Sequence, residues 1–259
     1  SNNTLRYNEI SNNSDDGIQL YGSSHNIITS NTVNFNGDDG VSLQPVWIPI
    51  PIPVSSPKLP SYSINVTPIP SPTPPPNATP PPPSPCIYNI LTNNTISGNR
   101  GHGIQLQDSS NNSIINNNIS NNDKDGIHLY CSDYNDLSSN LISNNADGIE
   151  LYESNNNRIT ENNVTMNDWE GIELNISSNN LIMGNTVSYN NDEGGIDIDS
   201  GANNNLIYHN NLINNSKNAE DDGYNNRWDN GAKEGGNYWS DHECEGNPSN
   251  GSQPYYIPG

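Results

Sequence analysis

A repeat of about 22 to 24 residues runs through most of the chain and restricts the fold more than any other feature. Each repeat contains a glycine followed by alternating apolar residues, as in Gly103-Ile104-Gln105-Leu106, which is typical of a short strand with one buried face. Asparagines spaced by five residues follow, here Asn112, Asn117 and Asn122. Self-similarity of this kind predicts a solenoid in which each repeat forms one coil.

The asparagine columns predict how the coils stack. An asparagine amide donates to one neighbouring coil and accepts from the other, so identical asparagines about 4.8 Å apart form a hydrogen-bonded ladder. We expect these asparagines to lie at turns, because asparagine tolerates the left-handed conformation. Strands held in register at this spacing are parallel, and their apolar columns face one narrow core. The sequence therefore predicts an all-β fold, a parallel β-helix (solenoid) of about eight coils.

The glycine and asparagine register resembles the repeats of NosD-like parallel β-helix proteins. The resemblance covers residues 1–44 and 87–217, and the segment from Gly236 to Asp241 is similar to the closing segment of archaeal members. It implies a right-handed helix, an archaeal type of cell-surface protein, and a relation to carbohydrate-binding or carbohydrate-cleaving modules.

The domain organisation follows from where the repeat stops. Coils are expected in 1–44 and 87–217, with a proline-rich insertion in 45–86 that contains 17 of the 20 prolines and cannot join a ladder. Residues 218–259 are rich in aromatics and are expected to cap the solenoid. The start of the insertion is apolar and is predicted to mediate self-association. These residues are Val46, Trp47, Ile48, Ile50, Ile52 and Val54.

Composition excludes some classes of partner. With 29 acidic against 8 basic residues the formal net charge is −21, so the chain cannot neutralise phosphates and nucleic acid is not expected as a partner. No apolar run is long enough to span a membrane. Eleven Asn-x-Ser/Thr sequons favour a glycosylated extracellular or cell-surface protein. They are Asn2, Asn12, Asn65, Asn77, Asn93, Asn111, Asn118, Asn163, Asn175, Asn214 and Asn250.

The three cysteines leave one disulfide open. Cys86 lies at the end of the insertion, and Cys131 lies in the corresponding turn two coils later. Two coils span about 10 Å, which is too far for rigid turns, but an arm that folds down would allow the bond. Three free thiols are the alternative, and the pairing of Cys244 is open.

An acidic residue often precedes the glycine, and in three coils this resembles the catalytic motifs of polygalacturonase-type glycosidases. The resemblance implies Asp39 as the acid, Asp16 with Asp38 as the base, and His102 as the histidine of the Gly-His-Gly motif. Turn chemistry explains the recurring Asp-Gly step equally well, and His102 occurs once. The expectation is therefore that the protein is not an enzyme, with glycoside hydrolase or lyase activity as the alternative.

A metal or cofactor is not expected. The later coils contain an acidic cluster that would bind Ca²⁺ or form a solvated face, and the solvated face is favoured because no bounded loop supplies six oxygens. The cluster consists of Glu150, Glu153, Glu170, Glu173, Asp197 and Asp199. Histidines and methionines are scattered, which argues against copper.

These features favour an extracellular structural or adhesive protein that assembles into a filament, sheath or surface layer. Its partners would be copies of itself or other cell-surface proteins. A glycan-binding module is the alternative, because Tyr21, Tyr130 and Tyr152 share one outward column.

Overall fold

The computed structural model is a parallel β-helix and describes residues 1–46, 84–192, 194–242 and 255–258. Strands numbered β1 to β25 along the chain form three sheets, and every paired strand in them is parallel to its neighbour in the described residues. Coils in 87–217 are thus parallel, as the asparagine register predicted.

The first sheet has eight strands, β1 Thr4–Arg6, β4 Ile27–Thr29, β7 Ile90–Thr92, β10 Ser113–Ile115, β13 Asp136–Ser138, β16 Arg158–Thr160, β19 Leu181–Met183 and β22 Leu206–Tyr208. The second has nine, β2 Glu9–Ser11, β5 Thr32–Asn34, β8 Thr95–Ser97, β11 Asn118–Ser120, β14 Leu141–Ser143, β17 Asn163–Thr165, β20 Thr186–Ser188, β23 Asn211–Ile213 and β25 Tyr238–Trp239. The third has eight, β3 Ile18–Tyr21, β6 Val41–Gln44, β9 Ile104–Gln107, β12 Ile127–Tyr130, β15 Ile149–Tyr152, β18 Ile172–Asn175, β21 Ile196–Ile198 and β24 Ala219–Asp221. A short helix, α1, spans Gly231–Glu234.

The core is a set of stacked apolar columns, one or two from each strand. In the first sheet Ile28, Leu91 and Ile114 face one another in register and are almost fully buried. Burial of each such side chain contributes roughly 1.5 to 3 kcal/mol. A glycine precedes each strand of the third sheet except β24 for a steric reason: a Cβ on Gly103, for example, would lie 2.4 Å from Ile119 Cγ2.

The asparagine ladders form as predicted, but the left-handed residue is a different one. Asn99 donates from both its backbone N–H and its Nδ2 to Asn122 Oδ1, at 3.1 and 2.8 Å. The residue before the ladder asparagine adopts the positive φ, as Asn116 (56°) and Asn121 (56°) do. The asparagine itself turns inward and bonds the next coil.

A fourth ladder, which the sequence did not reveal, is built mainly from serine. The backbone N–H of Ser109 donates to Ser132 Oγ at 3.0 Å, and that of Ser132 donates to Ser154 Oγ at 2.9 Å. Cys86 occupies the same column, because its Sγ accepts from the Ser23 backbone N–H and lies 3.3 Å from the Gln44 carbonyl. The thiol therefore replaces a ladder hydroxyl.

The C-terminal segment adds strands and covers apolar surface. Asn226 and Asn237 continue two asparagine ladders, accepting from Asn205 and Asn210. Trp228 and Trp239 pack against the core. The strands β24 and β25 thus lengthen the solenoid to about nine turns, one more than the asparagine columns indicated. No helix among the described residues is long and apolar enough to cross a membrane.

The proline-rich insertion begins and ends at one point on the wall of the solenoid. Val46 and Ser84 form an antiparallel bridge, with backbone hydrogen bonds of 3.0 and 3.1 Å. The predicted self-association residues Trp47, Ile48, Ile50, Ile52 and Val54 lie outside the described residues, and Val46 is partly buried at the bridge. Self-association stays a prediction.

Candidate functional site

A groove with a volume of about 580 Å³ runs across the outer side of the third sheet, over several successive coils. Two columns supply most of its polar side chains: the residue before each glycine and the second residue of each strand. Loop residues complete its wall. The lining residues are His102, Asp123, Lys124, Asp125, Ala146, Asp147, Glu150, Trp169, Glu170, Glu173 and Asp192. A groove with a few converging polar groups and one large aromatic ring is typical of a ligand site.

The acidic residues before the glycines have a structural role. Asp16 Oδ1 accepts the backbone N–H of Asp39 at 3.0 Å, and Asp39 Oδ1 accepts that of His102 at 2.8 Å. Asp147 Oδ1 accepts the backbone N–H of Glu170 in the same way at 2.9 Å. The aspartate of the recurring Asp-Gly step therefore makes an inter-coil hydrogen bond. This agrees with the expectation that turn chemistry explains why the step recurs.

Two of the candidate catalytic residues, Asp16 and Asp39, have this structural role. Burial raises the pKa of Asp16 to about 6, with the charge of Asp39 adding to it, and burial likewise raises the pKa of Asp39. Oxygens of Asp16 and Asp38 lie close together with one of Asp15. His102 faces Asp125 of the following coil, with Nδ1 3.0 Å from its Oδ2.

Two histidines and an aspartate form a compact cluster at one end of the groove. The rings of His102 and His128 stack with centroids 4.5 Å apart and an angle of 21° between their planes. Asp125 Oδ2 lies 3.0 Å from His102 Nδ1 and 3.3 Å from His128 Nδ1, and Glu150 Oε2 lies 2.6 Å from the latter. We name these three side chains, His102, Asp125 and His128, the His-Asp-His cluster.

The imidazoles of the cluster and the carboxylates beside them stabilise each other's charges. Burial opposes a charge on His128, but its contacts with Asp125 and Glu150 outweigh this and raise the pKa of His128 to about 9. Burial likewise disfavours ionised Asp125, yet the neighbouring imidazoles hold the pKa of Asp125 well below its usual range. At neutral pH the cluster therefore contains a histidine cation and a carboxylate.

Two carboxyl groups farther along the groove have raised pKa values, in contrast to the lowered pKa of Asp125. Burial raises the pKa of Asp147 to about 7, the charge of Asp125 adds to this, and hydrogen bonding with Glu170 opposes it. Burial, followed by the charges of Glu150 and Glu170, raises the pKa of Glu173 to about 8. Glu173 is thus mostly protonated at neutral pH and can donate a hydrogen bond as well as accept one.

Part of the predicted acidic cluster converges and part does not. Oxygens of Asp147, Glu170 and Glu173 lie within 4.8 Å of one another, as do those of Asp125, Asp147 and Glu150. Each group supplies three residues, whereas Ca²⁺ takes six to eight oxygens. Glu153 lies outside the groove, with an oxygen 3.4 Å from Cys131 Sγ. Calcium binding stays a minor expectation.

Aromatic side chains lie in the groove and at the C-terminal ends of strands in the third sheet. Trp169 lines the groove and is 53% exposed, which is unusual for the largest apolar side chain. Tyr130 and Tyr152, predicted to share an outward column, stack with centroids 5.5 Å apart and an angle of 14° between planes. Tyr21 is exposed in the same column.

The disulfide left open by the sequence is absent: Cys86 and Cys131 are both free thiols. Cys86 points inward as part of the serine ladder, whereas Cys131 has a left-handed backbone (φ 48°) on the outer side of a turn. Cys244 lies outside the described residues.

The sequon asparagines that the structure describes lie on the surface. Asn2, Asn12, Asn93, Asn111, Asn118, Asn163 and Asn214 are exposed, and Asn175 is partly buried. Asn65, Asn77 and Asn250 lie outside the described residues. Glycosylation at these sites stays a prediction.

Sequence reasoning did not single out the His-Asp-His cluster or Trp169. In the sequence the histidines are scattered, and Asp125 is one of several acidic residues that precede a glycine. The repeat register nevertheless contains a pattern that indicates the cluster. His102 and Asp125 share one column on successive coils, and His128 follows Asp125 by three residues. In a stacked solenoid such residues are neighbours.

Comparison with known proteins gives the following matches. The sequence profile of the family described as "Right handed beta helix region" matches residues 1–46 and 88–240. A search of curated protein sequences found no match. The crystal structure of the periplasmic alginate epimerase AlgG is similar with a TM-score of 0.60 and 20% identity, covering 82% of this chain and 47% of that one.

Two further structures are similar. The A-module of the mannuronan C-5 epimerase AlgE6 from Azotobacter vinelandii has a TM-score of 0.62 and 14% identity, covering 86% of this chain and 56% of that one. Full-length tailspike protein 2 from an Escherichia coli O157:H7 bacteriophage has a TM-score of 0.56 and 13% identity, covering 90% and 33%. The chain thus spans between a third and somewhat over half of these proteins, and at such identities the likeness concerns the fold alone.

Proposed function

The chain belongs to the right-handed β-helix family, and from this premise we propose that it is an extracellular surface protein that binds an uncharged polysaccharide in the groove of the third sheet. The observation that carries the proposal is the exposed ring of Trp169 in a groove whose other lining residues are mostly carboxyl groups. A sugar ring has an apolar face of C–H groups and a rim of hydroxyls, so it needs both an aromatic surface and hydrogen-bonding side chains.

The shape of the groove favours a chain over a single sugar. The groove crosses several coils spaced by the strand distance, and its lining residues range from His102 to Asp192. Hydrogen-bonding groups therefore repeat along its length, as the sugar units of a polysaccharide do. Two of the similar structures are epimerases of the polysaccharides alginate and mannuronan, which adds support from the same fold.

Charge decides which polysaccharide class fits. The chain has a net charge of −21, and most of the groove lining is acidic, with Lys124 as its one lysine. A polyanion such as alginate or polygalacturonate would meet repulsion there. An uncharged polysaccharide avoids this cost, and its hydroxyls can donate to the carboxylates and accept from protonated Glu173.

Binding is proposed rather than turnover, because two of the four candidate catalytic residues already make inter-coil hydrogen bonds. Asp16 and Asp39 each hold a backbone N–H of the next coil. An assay on polygalacturonate is expected to show no products. Turnover that is lost in Asp39→Asn and His102→Ala would contradict this and establish the hydrolase alternative.

The binding test uses a panel of soluble uncharged glucans, mannans and xylans, with alginate as the anionic comparison, measured by affinity electrophoresis and calorimetry. Wild-type protein is expected to bind at least one uncharged member and to bind alginate more weakly. Trp169→Ala should weaken binding by about tenfold or more, since a stacking ring contributes on the order of 1 to 2 kcal/mol. Tyr134→Asn, which removes an exposed ring from a turn outside the groove lining, is the matched control.

Two results would overturn the proposal. One is binding of alginate in preference to every uncharged polysaccharide. The other is equal weakening by Trp169→Ala and Tyr134→Asn, which would place binding outside the groove. The extracellular location is tested by expressing the full chain in a secreting host and mapping glycans on the exposed sequons.

A further inference from the structure

We propose that the His-Asp-His cluster is a binding site for a divalent transition-metal ion of the zinc type. The three side chains come from two successive coils, with His102 before β9, Asp125 before β12, and His128 on β12. One ligand atom from each lies within 4.8 Å of the other two. This site does not depend on polysaccharide binding, and it is tested with the metal alone.

The distances within the cluster fit ligands that share one ion. In a tetrahedral site with bonds of about 2.0 to 2.1 Å, two ligand atoms lie roughly 3.3 to 3.4 Å apart. Asp125 Oδ2 lies 3.0 Å from His102 Nδ1 and 3.3 Å from His128 Nδ1. The two imidazoles would have to tilt out of their stack to point at one ion, because an imidazole nitrogen coordinates in the plane of its ring and the two planes are 21° apart. The ring stacking of the two histidines, set by the coil spacing, brings both imidazoles to the same carboxylate oxygen.

An unpartnered nitrogen is the independent observation. The His102 side chain is 9% exposed, and its Nδ1 has no hydrogen-bond partner. Asp125 Oδ2 is an ion-pair neighbour of this nitrogen at 3.0 Å, but no hydrogen bond joins the two atoms. Two ligands of one ion have this relation, because each points at the ion and not at the other ligand. Buried ring nitrogens normally have a partner.

The alternative is a proton in place of the metal. A protonated His128 hydrogen-bonded to Glu150 at 2.6 Å, with Asp125 beside it, accounts for the position of that ring. This arrangement leaves His102 Nδ1 without a hydrogen bond, whereas a metal ion accounts for the positions of both histidines. Glu150 Oε2 lies 2.6 Å from His128 Nδ1, a hydrogen-bond distance that is shorter than the distance between two ligands of one ion, so Glu150 is a neighbour of the site and not one of its ligands.

The donor set and its surroundings select the class of ion. Two imidazoles with one carboxylate suit zinc, nickel and copper(II), whereas magnesium and calcium require mostly oxygen ligands. The acidic groove raises the local concentration of any cation. Because the cluster opens to the groove, a coordination position remains for water or another small ligand.

The experiment is a calorimetric titration of chelator-treated protein with zinc chloride, followed by the thermal shift that zinc produces in each variant. Wild type is expected to bind about one zinc ion per chain. His102→Asn and His128→Gln should each weaken binding by at least about tenfold. Both variants should fold: the backbone N–H of His102 makes the inter-coil bond, and Gln105 occupies the position of His128 in the preceding coil.

The matched control is His25→Asn, an exposed histidine with a positive φ that asparagine tolerates. It should leave zinc affinity unchanged. X-ray absorption of the zinc-loaded wild type should show two nitrogen ligands from imidazole. Failure of wild type to bind zinc overturns the proposal, and so does undiminished affinity in both His102→Asn and His128→Gln, which would place the ion on the carboxylates alone.

Discussion

Asn94 and Asn117 of successive coils are joined by two hydrogen bonds to one oxygen: the backbone N–H and the Nδ2 of Asn94 both donate to Asn117 Oδ1 at 3.0 Å. Asn117 Nδ2 in turn donates to the Leu91 carbonyl at 2.9 Å and to Asn140 Oδ1 at 3.1 Å. Both ladder asparagines are buried. One amide thus satisfies two backbone groups of the preceding coil that water cannot reach and also bonds the asparagine of the following coil.

The first prediction concerns this ladder. Asn117→Ala leaves the backbone N–H of Asn94 and the carbonyl of Leu91 without these partners, and each buried unpaired group costs about 1 to 3 kcal/mol. We expect the free energy of unfolding, measured by urea denaturation, to fall by about 3 kcal/mol. Asn118→Ala, at the exposed neighbouring position, should change it by less than about 0.5 kcal/mol. Similar losses in both variants would show that the ladder is not the source of stability.

A second prediction tests the left-handed turns. Asn144 has φ 55° and directly precedes ladder residue Asn145. Asn144→Val should lower the free energy of unfolding by about 1 to 2 kcal/mol, because a β-branched residue is strained in this region. Asn144→Gly should stay within about 0.5 kcal/mol of wild type. Ser143→Val, one position earlier on β14, is the control and should be tolerated.

The fold was predictable to the level of individual strands because two residue types mark it. Glycine is needed where a Cβ would contact the next coil, and asparagine is needed where one side chain bonds two coils, so both recur in fixed register. The left-handed position was misassigned to the ladder asparagine. The true position precedes it and holds residues as different as Tyr134, Ser139 and Met166, which form no recognisable column.

The site was less predictable, because it depends on contacts between different columns. The aspartates before glycine were rightly attributed to turn structure, as the bond from His102 N–H to Asp39 shows. The His-Asp-His cluster instead joins the column before the glycine to the strand column of the next coil. Its formation depends on side-chain direction and burial, which a motif search within one coil does not include.

The serine ladder gives a third prediction, about Cys86. Cys86→Ser should preserve or raise the free energy of unfolding by up to about 1 kcal/mol, because a hydroxyl accepts from Ser23 N–H better than a thiol does. Cys86→Val has a similar volume but offers no acceptor, and it should lower stability by about 1 to 2 kcal/mol. If Cys86→Val proves as stable as Cys86→Ser, the thiol acts only as an apolar filler.

The fourth prediction concerns the reactivity of Cys131. Burial, hydrogen bonding with Glu153 and the charge of that carboxylate raise the pKa of the Cys131 thiol to about 11. The thiolate is the reactive form, so alkylation by iodoacetamide, followed at this peptide by mass spectrometry, should rise steeply only near pH 11. Glu153→Gln removes a negative neighbour and should move the midpoint to lower pH. Asp133→Asn, which removes a carboxylate that bonds Asn155, is the control and should leave the midpoint nearly unchanged.

The last prediction follows from the raised pKa of Glu173, which is about 8. Between the ordinary glutamate pKa of 4.5 and pH 8, the folded state binds this proton more tightly than the unfolded state does, so stability falls as pH rises through that window. Glu173→Gln removes the ionisable group. With a chelator present, the variant should exceed wild type in free energy of unfolding by on the order of 1 to 2 kcal/mol at pH 9, reduced from the full shift by solvent screening.

Near pH 4 the difference between Glu173→Gln and wild type should vanish, because the carboxyl group is then protonated in both the folded and unfolded states. Glu161→Gln, on an exposed turn of another face, is the control and should follow wild type at both pH values. A constant difference across the range would mean that packing of the amide, and not burial of the charge beside Glu150 and Glu170, produces the effect. A variant that is less stable at pH 9 would show that ionised Glu173 has a favourable partner in the folded groove.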